Sequence, residues 1–176
     1  MSANEHIKIL EKIEKQPILD KLHVLEYDKK VKSSYAPNRV EKWFGYSSNL
    51  QSIKDGRSCV EWTENFPFWI NELRNKYFKE SDSVLVCKGI KSDSDTSIDW
   101  HRDHGNFHNR VVMVNYGKAI FYLQTYDDGT VIVELNDGDV VDFDSKMLHK
   151  SSQLSMERYI ITFRKVKREY LNTKLF

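Results

Sequence analysis

The stretch VVMVNYGKAIFYLQTYDDGTVIVELNDGDVVDF, residues 111–143, decides the fold class. Its short apolar runs are separated by residues that favour tight turns, which is typical of strands rather than helices. Asp128-Gly129 and Asn136-Asp137-Gly138 are strong hairpin signals between such runs. The stretch therefore predicts antiparallel strands, with residues 119–143 forming a three-stranded meander.

Similar apolar runs lie on both sides of this stretch, at residues 84–87 and 159–163. Many short strands joined by turns are typical of an antiparallel β-sandwich or barrel. Residues 81–168 are therefore predicted to form a mainly β core.

The N-terminal part of the sequence gives a mixed pattern. Apolar residues at helical spacing predict a leading helix over residues 4–15, ended by Pro17, and residues 22–27 predict a short strand. Residues 33–57 are rich in turn formers with aromatic insertions, and they predict loops with a hairpin.

A second helix is predicted to begin at Pro67, because apolar residues recur at helical intervals after it, and Asn65 is a candidate cap. The chain of 176 residues fits a single domain. In this interpretation residues 1–80 form an extension with the substrate-recognition segments, and residues 81–168 form the catalytic core.

Composition excludes several classes of protein. Hydrophobic residues make up 40% of the chain and charged residues 30%, which excludes an intrinsically disordered protein. Cys59 and Cys87 form neither a CxxC pair nor a disulfide framework, and no signal peptide or membrane span is apparent. We expect a monomer in the cytoplasm or the nucleus, with no membrane partner.

Net charge gives no support to charge-driven binding of nucleic acid. Lys and Arg number 27 and Asp and Glu 26, for a formal charge of +1. Binding to phosphates would therefore need a local basic patch. Residues 29–32 and 165–168 are the candidates, although short charge runs are more often solvated surface.

A candidate metal site lies within the predicted core. His101 and Asp103 are two positions apart on an extended segment, so their side chains lie on the same face. His149, on a later predicted strand, supplies a third ligand. Two imidazoles and one carboxylate suit non-heme iron(II), because such a triad leaves open positions on the metal, whereas zinc sites usually close tetrahedrally.

Arg158 and Arg164 strengthen this hypothesis. Their even separation predicts that both lie on one face of a strand beside the strand of His149. Arginine can grip a carboxylate with two parallel hydrogen bonds, so a pair of inward arginines indicates an anionic cosubstrate such as 2-oxoglutarate. The alternative is an edge strand whose arginines are solvated.

Several of these motifs resemble those of the AlkB family of Fe(II)- and 2-oxoglutarate-dependent dioxygenases. Arg158-Tyr-Ile-Ile-Thr-Phe-Arg164 resembles the family's Arg-x-Asn-x-Thr-x-Arg strand, and Ile98-Asp-Trp-His101-Arg-Asp103 resembles its first metal-binding strand. Gly138-Asp-Val-Val141 is similar to the turn before the distal histidine. Upstream, Pro37-Asn-Arg39 and Trp43-Phe-Gly45-Tyr46 are similar to segments of the nucleotide-recognition region.

The resemblance implies a double-stranded β-helix, or jelly roll, with the N-terminal helices packed on it. It implies that His101, Asp103 and His149 bind Fe(II), that Arg158 binds the distal carboxylate of 2-oxoglutarate, and that Arg164 binds the carboxylate near the metal. The implied reaction uses O2 and 2-oxoglutarate to hydroxylate an N-alkyl carbon of a nucleobase in single-stranded DNA or RNA. The hydroxylated group then leaves as an aldehyde.

The sequence departs from the family pattern at three places. Residues 86–89 read Val-Cys-Lys-Gly, where the family often has an Asn-x-Tyr pair that contacts 2-oxoglutarate. Gly105 stands where several members carry an acidic base-reading residue, and Ile160 replaces the central asparagine of the arginine strand. We therefore expect cosubstrate contacts that differ from those of the family.

Four residues are candidates for contact with the substrate. Trp43 and Tyr46 are predicted to stack on a flipped base, and Arg102 and His104 to contact the substrate from the mouth of the pocket. Two other functions stay open at this point. One is hydroxylation of a protein side chain or a small molecule, and the other is a catalytically silent binding module that keeps the barrel.

Overall fold

The computed structural model describes residues 6–28, 36, 38–49, 59–91, 96–127 and 129–171. The basic run at 29–32, Pro37 and Asp128 lie outside this part of the chain. No helix of the described part is long and apolar enough to cross a membrane. In chain order the elements are β1 (Ile7–Lys12), α1 (Lys15–Val24), β2 (Arg39–Asn49), β3 (Cys59–Trp62), α2 (Phe68–Tyr77), β4 (Ser83–Ile90), β5 (Ile98–His101), β6 (Arg110–Tyr116), β7 (Ala119–Gln124), β8 (Thr130–Leu135), β9 (Asp139–Asp144), β10 (His149–Gln153), β11 (Glu157–Arg164) and α3 (Arg168–Leu171).

The described strands form two antiparallel sheets. The larger sheet has the order β1-β9-β6-β11-β4-β2-β3, and the smaller has the order β5-β10-β7-β8. Side chains from both sheets pack in one apolar cluster between them, including Met113 and Phe143 of the larger sheet and Phe121 and Leu123 of the smaller. This is the predicted jelly-roll core, and the predicted fold class is confirmed.

The helices cover the other face of the larger sheet. Leu22 of α1 and Ile70 and Leu73 of α2 are buried in a second apolar cluster. Alternate residues of β11 supply the sheet side of this cluster, namely Tyr159, Ile161 and Phe163. Because neighbouring residues of a strand point to opposite faces, Arg158 and Arg164 point between the sheets, as the sequence predicted.

The N-terminal segment differs from the prediction. Residues 7–12 form a strand and not a helix, because the edge of β9 offers unpaired backbone groups, and Ile7 lies opposite Phe143 in the resulting pair. Pro17 lies in the first turn of α1 instead of ending a helix, a position where its missing N–H costs nothing. The strand predicted over residues 22–27 is also wrong, since Leu22 is buried within α1.

Four further predictions about strands and caps are corrected. Residues 39–49, predicted as loop and hairpin, form the long strand β2, which pairs with both β4 and β3. The three-stranded meander is wrong, because β7 and β8 pair but β9 joins the other sheet. The strand of Arg158, β11, pairs with β4 and β6 and faces β10 across the core instead of lying beside it. Asn65 is not a cap, because α2 has Pro67 at its N-cap position and no side-chain cap bond.

We expect Gly138→Ala to destabilise the fold by about 2–3 kcal/mol. Gly138 has a φ of +81°, and a Cβ there would lie 2.1 Å from the carbonyl oxygen of Ile13. The new methyl group would therefore force the backbone apart at the start of β9. Gly105→Ala is the matched control, since a Cβ at Gly105 would meet no atom within 4 Å. Urea unfolding of both variants measures the difference, and equal stability of the two would contradict the expectation.

Candidate metal centre and adjoining pocket

Three metal-ligating side chains converge at one end of the smaller sheet. His101 ends β5, His149 begins β10, and these two residues lie opposite each other in the strand pair. Asp103 follows β5 by two residues, and its backbone N–H donates to the carbonyl of Ser145. One ligand atom from each of the three side chains lies within 4.8 Å of the others. The predicted triad is therefore brought together by strand pairing and one loop contact.

Backbone carbonyls orient both imidazole rings. Nδ1 of His101 lies 2.7 Å from the carbonyl oxygen of Asp99, and Nδ1 of His149 lies 2.8 Å from that of Met147. A carbonyl oxygen only accepts, so each Nδ1 carries the proton and each Nε2 is the unprotonated nitrogen that can bind a metal. The two Nε2 atoms lie 3.9 and 3.7 Å from Oδ1 of Asp103. Fixing the ring through Nδ1 is the usual way in which proteins prepare histidine ligands.

The protonation states at neutral pH suit a metal ion. Burial, together with the neighbouring His101, lowers the pKa of His149 to about 4, and burial also lowers the pKa of His101. Burial opposes ionisation of Asp103, but the adjacent Arg164 guanidinium outweighs it and holds the pKa of this carboxyl at about 2. At pH 7 the site therefore presents two neutral imidazoles and one carboxylate, which are the forms that bind metals.

The three ligands fit Fe(II) better than a structural zinc ion. Two nitrogen donors and one oxygen donor on one side of a metal leave adjacent positions open, which is the arrangement of non-heme iron oxygenases. A structural zinc site would need a fourth protein ligand. The triad faces a cavity between the two sheets, so the open positions of a bound metal would point into that cavity.

The cavity has apolar walls and polar groups at a few defined places. Leu85 and Ile160 of the larger sheet and Phe121 of the smaller contribute to its walls. Small-molecule sites usually combine such walls with a few convergent polar groups. Here the polar and charged residues that line the cavity are Arg39, Glu41, Ser48, His101, Arg102, Asp103, His104, His149, Lys150, Ser151, Thr162 and Arg164.

Arg158 is a buried cation with no counter-anion in the part of the chain that the structure describes. Its side chain donates from Nε to Oδ1 of Asn115 at 2.8 Å and from Nη1 to Oγ of Ser151 at 2.7 Å. The residue is only 3% exposed, its Nη2 has no partner, and it forms an ion pair with no carboxylate among the described residues. Burial lowers its pKa to about 9, so it still carries its charge at pH 7. An unpaired buried guanidinium is unfavourable, which indicates a site for an anionic ligand.

Arg164 lies beside the metal ligands. Its Nε donates to Oδ2 of Asp103 at 2.6 Å, and its Nη1 donates to Oγ1 of Thr162. Oδ1 of the same carboxylate faces the histidines, so Arg164 fixes the orientation of Asp103. The two inward arginines predicted from the sequence therefore differ, because one is paired with the metal site and the other is not.

The candidate substrate residues lie in different places. Trp43 lines the cavity, and its ring is nearly parallel to that of Phe107, at an interplanar angle of 11°. Arg102 and His104 also line it, and Nε of Arg102 donates to the carbonyl of Lys146 at 2.9 Å. Tyr46 is not among the lining residues and packs edge-on against Trp62. Three of the four candidates are therefore at the cavity.

Three charged residues of the cavity, Arg39, Glu41 and Lys150, were not predicted as site residues. Arg39 and Glu41 lie on β2 together with Trp43, and all three line the cavity. Their spacing of two residues is a strand signal, but the turn formers and aromatic residues around them favoured a loop. Asn115 and Ser151, which hold Arg158, were missed because they become its neighbours only in the folded sheet pair.

No family model matches the sequence, and no curated protein matches it. Solved structures share the fold. The structure of OsALKBH1 is similar over 73% of this chain and 78% of that protein, with 17% identity and a TM-score of 0.54. A protein of the 2OG-Fe(II) oxygenase family from Burkholderia pseudomallei is similar over 84% and 75%, with 12% identity and a TM-score of 0.61. The expected likeness to AlkB and to 2-oxoglutarate oxygenases is confirmed at the level of the fold.

Proposed function

We propose that the chain is an Fe(II)- and 2-oxoglutarate-dependent dioxygenase. The observation that carries the proposal is the juxtaposition of a His-Asp-His triad with Arg158, a buried cation that has no counter-anion among the residues the structure describes. A metal ion would bind the triad, and one carboxylate of a dicarboxylate ligand would pair with Arg158. Fold likeness to 2OG-Fe(II) oxygenases supports the same function.

Each part of the site has a role in this proposal. His101, Asp103 and His149 hold Fe(II), and Arg158 binds the distal carboxylate of 2-oxoglutarate. Arg164 holds Asp103 in place, close to where the other carboxylate of 2-oxoglutarate would bind the metal. Iron, O2 and 2-oxoglutarate supply the oxidising chemistry when they are bound. The protein contributes binding, orientation and an apolar cavity that excludes water.

We infer further that the substrate is an N-alkylated nucleobase in single-stranded DNA or RNA. The similar structure OsALKBH1 is, by its name, an AlkB homologue. In this chain, Trp43 presents an aromatic ring at the cavity, as a site for an unstacked base requires. Arg102 and Lys150 add positive charge near the cavity, where they would face the phosphates beside a bound base.

A second candidate function is hydroxylation of a protein side chain or a small molecule. Gly105 favours this alternative, because glycine carries no side chain that could read a base at this position. The near-neutral net charge also favours it over tight binding of a polyanion.

The test is cosubstrate turnover with defined substrates. Fe(II)-loaded protein is incubated with O2, 2-oxoglutarate and single-stranded oligonucleotides that contain 1-methyladenine or 3-methylcytosine. We expect succinate and formaldehyde in equal amounts, and only background succinate with the unmethylated oligonucleotides. Succinate formation stimulated by peptides and not by the methylated strands would favour the second candidate function. Failure to bind 2-oxoglutarate in the presence of the metal would contradict the enzyme assignment itself.

A further inference from the structure

Two inward arginines lie level with each other on the larger sheet. In the strand register, Gly89 of β4 lies opposite Arg39 of β2 on one side and opposite Arg158 of β11 on the other. Adjacent strands are about 4.8 Å apart, so the backbones of the two arginines are separated by about 10 Å. The residue between them has no side chain. Two guanidinium groups therefore approach the same region of the interior from either side.

A small cavity lies between these arginines and adjoins the metal cavity. Arg39, Arg158, Thr96 and Gln153 are among the residues that line it. Arg39 also lines the metal cavity, as do other residues shared by the two cavities, namely Cys87, Ile98 and Ile160. A ligand held at the metal could therefore extend one end toward Arg158, and that end would pass Arg39.

Arg39 is oriented by an acidic neighbour. Its Nε and Nη2 both lie 2.7 Å from Oε1 of Glu41, and the side chains of the two residues are 17% and 6% exposed. Its Nη1 has no hydrogen-bond partner among the described residues. Glu41 therefore fixes the plane of the Arg39 guanidinium, while its Nη1 stays available to a ligand. Fixing the fork in advance lowers the entropy that is lost when it binds an anion.

The charges around the small cavity call for an anion. Arg158 has no counter-anion among the described residues, whereas the second cation, Arg39, is paired with Glu41, so the small cavity carries one uncompensated positive charge. The inner face of β4 offers Leu85, Cys87 and Gly89, so this strand supplies no polar side chain to a ligand. Polar side chains reach this cavity from other elements, namely Arg39 of β2, Arg158 of β11, Gln153 of β10 and Thr96.

We propose that Arg39 binds the distal carboxylate of 2-oxoglutarate together with Arg158. It thereby replaces the contacts that the family's Asn-x-Tyr pair would supply from β4. This assignment rests on the proposed function, and it moves Arg39 from nucleotide recognition to cosubstrate binding. Glu41 is a positioning residue in this arrangement, since it holds Arg39 without touching the cosubstrate.

The test measures binding without turnover. Protein loaded with Mn²⁺ in place of iron is titrated with 2-oxoglutarate, and separately with pyruvate, which has the keto acid group but no distal carboxylate. The main variant is R39M/E41Q, because removing both charges leaves no unpaired buried carboxylate. We expect its Kd for 2-oxoglutarate to rise by about 10- to 100-fold, the value of one charge-assisted hydrogen-bonded contact, and its Kd for pyruvate to stay unchanged.

Two further variants separate a contact with the ligand from a structural effect. K42M removes a lysine that pairs with Glu64 and does not line either cavity, so it is expected to bind both ligands like the wild type. R39K keeps the charge but loses the planar fork, and we expect a loss of affinity smaller than that of R39M/E41Q. It also provides a test if the double variant does not fold, as judged by circular dichroism and Mn²⁺ affinity; wild-type affinity of folded R39K for 2-oxoglutarate would then overturn the assignment.

Two results would overturn the proposal on Arg39 alone. One is wild-type affinity of R39M/E41Q for 2-oxoglutarate, and the other is an equal loss of affinity for 2-oxoglutarate and pyruvate, which would place the effect at the metal. Wild-type protein that binds Mn²⁺ but not 2-oxoglutarate would contradict the proposed enzyme function, and this assignment with it. The failures of the two proposals are thus distinguishable.

Discussion

Replacing His149 with alanine is expected to weaken metal binding by about 100-fold or more and to stop turnover of 2-oxoglutarate. Residues that hydrogen-bond to metal ligands are commonly worth about 10- to 100-fold in metal affinity, and His149 is proposed as a ligand itself. The variant leaves only His101 and Asp103 at the site. Because His149 is neutral at pH 7, its removal creates no unpaired charge, so the fold is expected to survive.

Calorimetric titration with Mn²⁺ measures this loss, and thermal unfolding with and without saturating Mn²⁺ gives a second reading. Wild-type protein should gain stability from the metal, whereas His149→Ala should gain almost none. His108→Ala is the matched control, because His108 is exposed and does not line the cavity. Metal affinity of His149→Ala equal to that of the control would remove this histidine from the site.

The second large effect is expected at Arg158, where Arg158→Met should raise the Kd for 2-oxoglutarate by about 100-fold or more. Truncating one member of a buried charged pair typically costs about 2–5 kcal/mol of binding. Mn²⁺ affinity should stay unchanged, since the hydrogen bonds of Arg158 go to Asn115 and Ser151 and not to the triad.

Stability should respond to this substitution quite differently. Arg158→Met removes two hydrogen bonds but also removes a buried cation that no described carboxylate pairs with, and these effects oppose each other. We therefore expect the ligand-free protein to keep its unfolding free energy within about 2 kcal/mol of the wild type. Arg110→Met, at a half-exposed arginine paired with Asp142, is the control for a generic loss of positive charge. Unchanged affinity for 2-oxoglutarate would contradict the role of Arg158.

Local patterns predicted the strands of the core well. Each of the strands β6, β7, β8, β9 and β11 is a short apolar run bounded by turn formers. Such a local pattern predicts a strand without information from distant parts of the chain. The same holds for the two faces of β11. Residues 7–12 were predicted as part of a helix from their apolar spacing, but they form a strand because they pair with the free edge of β9, which lies more than a hundred residues away.

The site shows the same division between local and distant causes. His101 and Asp103 could be paired from their spacing, and Arg158 and Arg164 from theirs. That Arg164 holds Asp103 while Arg158 holds no carboxylate depends on how β11 lies relative to β5 and β10, which belong to the other sheet. Arg39 became a candidate only because register places it level with Arg158. The register between strands that are far apart in the chain cannot be predicted from a single sequence.

The pairing of β1 with β9 also bears on how the protein is made. Ile7 lies opposite Phe143, so the two partners are separated by 136 positions of chain. At a synthesis rate of about 5–20 residues per second, β1 leaves the ribosome roughly 7 to 27 seconds before the strand that it pairs with. The larger sheet is therefore closed only late, and such non-local pairing is the kind that folds slowly. Until β9 is made, β1 lacks its strand partner, so a chaperone that binds extended segments could bind it during that interval.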